Sequence, residues 1–246
     1  MAMRKKSSSS DPIFDLALAK ATVIPASTIK AYVDAVRRKN PNASPEQVIK
    51  ILASQYKALM RTTGGAVGVS AALPGIGTTT ALILSAADVG AFLFSASLFS
   101  LAIADVHGIE VTDVERRKAL LLTSVLGDTG AKTVRDVTGK PAMLWGTTLL
   151  TSLPKSTIKQ VNGVLASRFI KRQLIKYTGL TVGRIVPFGV GAVVGVVGGN
   201  GLAATVISQT NKAFGPAPAS FSRPIITVIE QDTASEDPVS MGSFSS

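Results

Sequence analysis

Leu73-Pro74-Gly75-Ile76-Gly77 opens the stretch that decides the fold, an apolar run that extends to Ala104. Beyond Thr80, Asp88 is the only charged residue in this run. A helix on the surface of a water-soluble protein needs a polar face along its whole length, and this run has none. The sequence therefore predicts a helix that lies either in lipid or in a fully enclosed protein core.

A second run of the same kind covers residues 185–207, opened by Val186-Pro187-Phe188-Gly189-Val190-Gly191 and carrying Asn200 as its polar residue of intramembrane type. Together the two runs predict an all-α protein, a helical bundle built around two Gly/Pro-broken apolar hairpins with amphipathic basic helices around them. The predicted hairpin turns contain Pro74, Gly75 and Gly77 in the first run and Pro187, Gly189 and Gly191 in the second. Re-entrant hairpins and full membrane crossings both agree with these prolines and glycines.

The composition of the 246-residue chain fits a helical protein that contacts a membrane. Hydrophobic residues make up 46% and the mean hydropathy is +0.35, above the usual range of soluble proteins, whereas a charged share of 17% is too high for a polytopic channel. We expect a disordered basic arm over residues 1–10 and one helical domain over residues 11–215. Residues 216–246 are predicted to form a mostly disordered, Pro/Ser-rich acidic tail.

The charge is distributed unevenly along the chain. Residues 1–215 hold 25 Lys and Arg against 11 Asp and Glu, so the body is strongly positive. A positive body is attracted to anionic lipid headgroups or to nucleic acid. Aromatic residues, on which single-stranded nucleic acids stack, make up only 5%, and no nucleic-acid module is recognisable. We therefore expect anionic lipid as the partner and no nucleic acid.

Local signals predict the ends of two further helices. Ser44-Pro45-Glu46-Gln47 combines an N-cap, a proline at the first helical position and a capping-box glutamine. The helix that it starts is predicted to run to about Thr62 and to be ended by Gly64-Gly65. Thr112-Asp113-Val114-Glu115 begins another helix, which is predicted to continue to about Leu126.

Residues 165–177 show the pattern of a basic amphipathic helix. The cations Arg168, Lys171, Arg172 and Lys176 are spaced at i, i+3, i+4 and i+8, and apolar residues fill the opposite arc. One interpretation is an ordinary solvated face over a protein core, and the other is a face that binds lipid headgroups. These four side chains are therefore the candidates for headgroup contact.

The sequence offers little material for catalysis. His107 is the only histidine and cysteine is absent, which excludes multi-histidine and thiolate metal sites. Gly75-Ile76-Gly77 lacks the lysine of a phosphate-binding loop, and residues 189–195 miss the glycine spacing of a dinucleotide site. We expect no enzyme activity, cofactor, metal or small-molecule substrate. We expect His107 at a helix C-terminus, where a partly charged ring is favourable.

Asp88 has two alternative roles. A carboxylate in apolar surroundings must be paired, capped, hydrated or neutral. As an N-cap, Asp88 would begin a helix over residues 89–104. As an interior contact, it would join the two hairpins through Asn200 or through a basic side chain.

Several motifs occur in an order that points to a family. The first half carries Ala72-Leu-Pro-Gly-Ile-Gly-Thr78, Asp88, Ile103-Ala-Asp-Val-His107-Gly108 and Glu115-Arg116. The second half carries Lys176-Tyr-Thr-Gly-Leu-Thr-Val-Gly-Arg184, Ile185-Val-Pro-Phe-Gly-Val-Gly-Ala192 and Gly198-Gly-Asn200. Over residues 55–215 the chain resembles the EcsC-like proteins of bacteria. Many relatives carry a Tyr-Gly pair where this chain has His107-Gly108, so no role of that aromatic residue is carried over.

The resemblance implies a bacterial, membrane-associated helical protein, because the family is named for a gene next to an ABC-type exporter. We therefore expect a non-enzymatic protein that assists an ABC-type transporter or another membrane complex, or that forms a homo-oligomer. Its expected location is the cytoplasmic side of the cell membrane, either peripheral or inserted through its hairpins. The alternative is a soluble cytoplasmic scaffold or interaction protein whose hairpins are buried.

Overall fold

The computed structural model describes residues 12–71, 78–139, 144–179 and 190–225, and it describes side chains for 14–62, 89–139, 144–171 and 199–225. Within these ranges the chain forms nine α-helices and one π-helical turn and contains no β-strand, so the prediction of an all-α bundle is confirmed. The elements are α1 (Pro12–Thr22), α2 (Ala26–Lys39), α3 (Pro45–Ala71), α4 (Thr78–Val106), α5 (Val114–Leu126), α6 (Asp128–Thr138), α7 (Trp145–Thr147), the π-helical turn (Thr148–Ser152), α8 (Lys155–Gly179) and α9 (Val190–Phe214).

Helix α5 lies at the centre of the bundle. It packs against α1, α4, α6, α8 and α9, and every residue from Ala119 to Leu126 is buried. The run Ala119-Leu-Leu-Leu-Thr-Ser-Val-Leu126 has no charged residue, as expected of a helix that is enclosed on all sides. Thr123 satisfies its hydroxyl within the helix by donating to the carbonyl of Ala119 at 2.7 Å.

The apolar run of α4 is enclosed by other helices over its described half. Val89–Val106 is the one described segment long and apolar enough to cross a membrane, with a mean hydropathy of 1.9. However, 61% of this segment is buried among α1, α2, α3, α5 and α9. Of the two predicted environments, an enclosed protein core accounts for most of this part of α4.

Helix α3 is longer than the sequence pattern predicts. The prediction that Gly64-Gly65 ends the helix is wrong, because α3 continues through both glycines to Ala71. Each glycine lowers the intrinsic stability of a helix by about 1 kcal/mol. Packing along α9 and α4 outweighs that cost, as is usual for helices in a bundle.

The predicted helix starts are confirmed by their caps. The main-chain N–H of Ser44 donates to the Gln47 side chain at 2.8 Å, and the N–H of Gln47 donates back to the Ser44 hydroxyl at 3.3 Å. Asp113 is the N-cap of α5, where its carboxylate accepts a hydrogen bond from the N–H of Arg116 at 3.0 Å. Both caps satisfy N–H groups that a helix leaves without internal partners.

Two consecutive arginines of α5 hold neighbouring chain ends in place. Arg117 is buried and donates to the main-chain carbonyls of Val111, Thr22 and Ile24. Arg116 donates to the carbonyl of Leu149 at 2.5 Å and to that of Leu153 at 2.8 Å, across the π-helical turn. Arg117 thus fixes the chain where α1 ends, and Arg116 fixes the chain just before α8 begins.

The first ten residues of the predicted C-terminal tail lie on the body. Residues 216–225 form no helix or strand, and they pack against α2 and α4. Arg223 is responsible, since it forms ion pairs with Asp34 of α2 at 2.8 Å and with Asp105 of α4 at 2.6 Å. The predicted arm over residues 1–10 and the rest of the tail lie outside the described residues.

A glycine at the α5–α6 junction tests this packing. A Cβ atom on Gly130 would overlap the main chain of Thr123, with Thr123 Cα only 2.8 Å away. We expect Gly130→Ala to lower the free energy of unfolding by about 2 kcal/mol, measured by chemical denaturation. Gly163→Ala in α8 is the matched control, because nothing lies within 4 Å of its new methyl group. The control should raise stability by up to about 1 kcal/mol, and equal effects in both variants would contradict the close approach.

Candidate functional site

Two contacts place the central helices side by side. The ring of Tyr56 in α3 stacks on that of Phe99 in α4, with centroids 4.9 Å apart. The next residue of α4, Ser100, shares a hydrogen bond of 3.2 Å with Thr210 of α9. These residues therefore lie at one level of the bundle.

A third contact gives the direction of α9. Nε of Arg61, which follows Tyr56 along α3, donates to Oδ1 of Asn200 at 2.7 Å. Asn200 precedes Thr210 along α9. Residue numbers rise along α3 and fall along α9 between the two levels, so α9 runs antiparallel to α3. It runs parallel to α4, because Ser100 contacts Thr210 and His107, further along the chain, stacks on Phe214.

Helix α1 runs parallel to α4. Ala17 lies beside Gly90 in the N-terminal half of α4, where a Cβ on the glycine would be 4.0 Å from that of the alanine. At the other end of α1, Arg117 binds the carbonyl of Thr22 together with that of Val111, which follows the end of α4. The N-termini of α1 and α4 therefore lie at the same end of the bundle.

Helix α8 points toward that same end. Asn162 contacts Glu115 at the start of α5, with Nδ2 of the amide 2.7 Å from the carboxylate. Further along α8, the ring of Phe169 stacks on that of Phe14 in α1, with centroids 4.7 Å apart. We call this end of the bundle the apolar end. It collects the C-terminal ends of α3 and α8 and the N-terminal ends of α1, α4 and α9.

The apolar end brings together both apolar runs of the sequence. The predicted turn residues between α3 and α4, namely Pro74, Gly75 and Gly77, lie outside the described residues, as do Pro187 and Gly189 between α8 and α9. Gly191 lies in the first turn of α9. The helix ends that flank both segments thus lie at one end of the bundle, although they are far apart in sequence.

The two predicted polar residues of the apolar runs have different outcomes. Asn200 joins α9 to α3, because its Oδ1 accepts a hydrogen bond from Arg61. The predicted contact of Asp88 with Asn200 or with a basic side chain lies outside the described residues. The prediction that Asp88 is an N-cap is wrong, because α4 begins at Thr78 and continues without a break past residue 88. The apolar residues before Asp88 extend the helix upstream, so no helix start is available to cap. The side chain of Asp88 lies outside the described residues.

The apolar side of the basic helix α8 faces the protein core. Its buried apolar residues are Ile158, Val161, Leu165 and Phe169. Lys171 is exposed, and Arg168 is half-buried and donates to the Thr133 hydroxyl of α6 at 2.5 Å. Arg172 and Lys176 follow on the same helix, but their side chains lie outside the described residues. Because its apolar face is used by the protein core, α8 can offer a lipid surface only its cations.

Exposed apolar side chains lie near the cations at the apolar end. Among the described residues, the large apolar side chains with high exposure include Leu16 at 58%, Leu59 at 46% and Phe94 at 45%. All three lie at the level of the Arg61–Asn200 contact or next to it. Arg61 is exposed on α3, two residues after Leu59, and the exposed carboxylate of Asp15 is on α1. This mixture of apolar and cationic groups was missed from sequence, because only the helix pairing brings α1, α3 and α4 together.

His107 lies at a helix C-terminus, as predicted. It follows the last residue of α4, and Gly108 after it has a φ of +74°, the left-handed conformation of a helix C-terminus. Burial lowers the pKa of His107 below its usual value, which disfavours the partly charged ring that the sequence predicts. The ring stacks on Phe214 of α9, with centroids 5.3 Å apart. This surrounding is that of a packing residue.

A cluster of charged residues lies at the opposite end of the bundle, and we call it the arginine clasp. It consists of Arg223, Asp34, Asp105 and Arg37. Asp34 is 1% exposed and Arg223 is 20% exposed, so the ion pair is largely shielded from solvent. Burial opposes the charged guanidinium, but hydrogen bonds to Asp105 and Asp34 outweigh it and raise the pKa of Arg223. Sequence reasoning missed this cluster. Two signals were present, namely Arg223 as the one basic residue of an acidic tail and Asp34 next to the apolar Val33.

The described residues contain no group of three histidine, aspartate or glutamate side chains that could hold a metal ion. A cavity of about 10 Å³ between α2 and α4, lined in part by Lys30 and Asp105, has room for about one water molecule. A shallow surface depression of about 540 Å³ lies at the turn between α2 and α3 and is lined by residues such as Asn40, Gln47 and Lys50.

Comparison with known proteins adds no relative. The chain matches no protein-family model, no curated protein and no solved structure.

The single histidine predicts a pH dependence of stability. Because the folded state lowers the pKa of His107, the unfolded chain takes up a proton at this residue first as the solution is acidified. The free energy of unfolding should therefore decrease as the pH falls below about 6.5. His107→Phe keeps an aromatic ring against Phe214 and should remove this component, measured by urea denaturation above and below that pH. An unchanged slope in the variant would assign the dependence to other groups.

The arginine clasp predicts a large stability effect of one tail residue. Arg223→Ala removes the partner of two shielded carboxylates, so the free energy of unfolding should fall by about 3 kcal/mol. Arg135→Ala is the control, because Arg135 lies 3.8 Å from Asp136 and both side chains are about half exposed. That change should stay within about 0.5 kcal/mol. A similar small loss for Arg223→Ala would mean that residues 216–225 contribute little to the fold.

Proposed function

We propose that this chain is a non-enzymatic, membrane-associated helical protein of the EcsC type. It binds an anionic bilayer from the cytoplasmic side through the apolar end and assists an ABC-type transporter or another membrane complex. The observation that carries the proposal is the convergence of both apolar runs at the end toward which the basic helix α8 points. Burial of apolar groups and attraction of cations to anionic headgroups are the two interactions that hold a peripheral protein on an anionic membrane.

The charge of α8 supports an electrostatic contact. The 25-residue helix Lys155–Gly179 contains six lysines and arginines and no acidic residue. Four of these six, Arg168, Lys171, Arg172 and Lys176, lie in its second half, which leads to the apolar end. A cation near an anionic membrane surface contributes about 1 kcal/mol, and the contribution decreases with added salt.

The exposed apolar groups support a contact that extends beyond the headgroups. Leu16, Leu59 and Phe94 would lie at the boundary between headgroups and acyl chains if the apolar end faces the bilayer. Arg61 beside them would then meet lipid phosphates while it keeps its hydrogen bond to Asn200. This combination favours a lipid surface over a purely polar partner.

A second candidate function follows from the burial of α4. A soluble cytoplasmic scaffold with buried hairpins agrees with the 61% of Val89–Val106 that is buried among other helices. In that case, the apolar end would bind another protein or a second copy of the chain. Fractionation of expressing cells separates the two candidates. Release from membranes by high salt or by detergent supports the membrane function, and recovery in the soluble fraction supports the scaffold.

Vesicle sedimentation tests the lipid contact directly. The triple variant Lys171→Gln, Arg172→Gln and Lys176→Gln removes three charges near the apolar end. Each cation contributes about 1 kcal/mol to binding an anionic surface. The loss of three should therefore weaken binding to vesicles that contain phosphatidylglycerol roughly 100-fold. Wild-type binding should also fall with added salt and be much weaker on pure phosphatidylcholine.

The matched control removes three charges elsewhere. Lys39, Lys50 and Lys155 are exposed and lie on α2, on α3 and at the start of α8, away from the apolar end. Changing these three to glutamine should alter vesicle binding by less than about 3-fold. Equal losses in the two triple variants would mean that net charge alone drives binding, and the proposed orientation would then be wrong.

A further inference from the structure

Residues 216–225 lie on the body as an irregular segment with bends at residues 216, 219–220 and 222–223. The segment follows α9 through Gly215, whose φ of +77° turns the chain out of the helix. Its described contacts with α2 and α4 come from Phe221 and Arg223. A segment held in this way resembles a bound peptide more than a structural element of the fold.

The clasp satisfies the whole guanidinium group of Arg223. Nε and Nη2 donate to the two carboxylate oxygens of Asp105, at 3.3 and 2.6 Å, in the forked geometry that is specific to arginine. Nη1 donates to both oxygens of Asp34, at 2.8 and 2.9 Å. A lysine ammonium cannot reproduce this planar set of donors, so the two carboxylates select arginine.

Arg37 of α2 makes two further contacts with the segment. Its Nη1 donates to the main-chain carbonyl of Arg223 at 3.1 Å. Its guanidinium carbon also lies 4.0 Å from the ring centroid of Phe221, a cation–π contact. One side chain of α2 therefore contacts both the main-chain carbonyl of the arginine and the aromatic residue two positions before it.

We propose that the surface formed by Asp34, Arg37 and Asp105 is a peptide-binding site for a segment of the form aromatic-x-Arg. In this structure the chain's own Phe221-Ser222-Arg223 occupies it. The partner is a protein segment with this pattern, which competes with residues 216–225 for the site. The site lies at the end of α4 opposite the apolar end and is independent of any lipid contact.

The experiment uses a labelled peptide of residues 216–225, Pro-Ala-Pro-Ala-Ser-Phe-Ser-Arg-Pro-Ile, and the full-length chain with Arg223→Ala. Fluorescence anisotropy should show binding to this variant and at least 10-fold weaker binding to the wild type, where the segment competes. A peptide with lysine in place of the arginine should bind at least 10-fold more weakly. Adding Asp105→Asn to the variant should abolish binding. Equal binding of the arginine and lysine peptides would overturn the proposal.

A second measurement covers the case in which Arg223→Ala does not fold. The chain has no cysteine, so Ser220→Cys gives a single position for a dye on the exposed part of the segment. In this otherwise wild-type chain, excess unlabelled peptide should displace the segment and lower the anisotropy of the dye. The lysine peptide is the control and should not do so. No change with the arginine peptide at any concentration would mean that the segment is a fixed part of the fold, and the proposal would be wrong.

Discussion

Helix α5 can be buried on all sides because the one charged side chain at its buried face, Arg117, is fully engaged by main-chain oxygens. Without the carbonyls of Val111, Thr22 and Ile24, this guanidinium would carry a large desolvation cost. The same hydrogen bonds fix where α1 ends and where the turn after α4 lies. The positions of α1 and α4, and through them the apolar end, therefore depend on one arginine in the centre of the bundle.

The two ends of the bundle have opposite chemistry. At the apolar end, the exposed groups include both cations and apolar side chains, which suits the proposed contact with a membrane surface. At the other end, Asp34 and Asp105 hold a single guanidinium in fixed directions, which suits one chemical group in one orientation. Helix α4 connects the two ends directly. The two proposed contacts would therefore be separate, one with a surface of no fixed geometry and one with a specific group.

Local signals predicted the features that depend on a few neighbouring residues. The capping box of Ser44 and Gln47 and the N-cap Asp113 are examples, since their hydrogen bonds join residues three positions apart. The predicted helix end at Gly64-Gly65 failed because the deciding interactions come from α9, which is distant in sequence. For the same reason, the apolar runs and the basic helix were identified, but their convergence at one end was not. The clasp was not predictable, because no local pattern pairs a tail arginine with an aspartate of α2.

The contact between Arg223 and Asp34 closes a loop of 189 residues. The entropy lost on closing a loop increases only slowly with its length, so the large separation in sequence adds little to the cost of this contact. Arg223 binds Asp34 of α2 and Asp105 of α4 at the same time. The clasp therefore works as a tie between the first third of the chain and the segment after α9, and a change that shifts α2 relative to α4 should also loosen that segment.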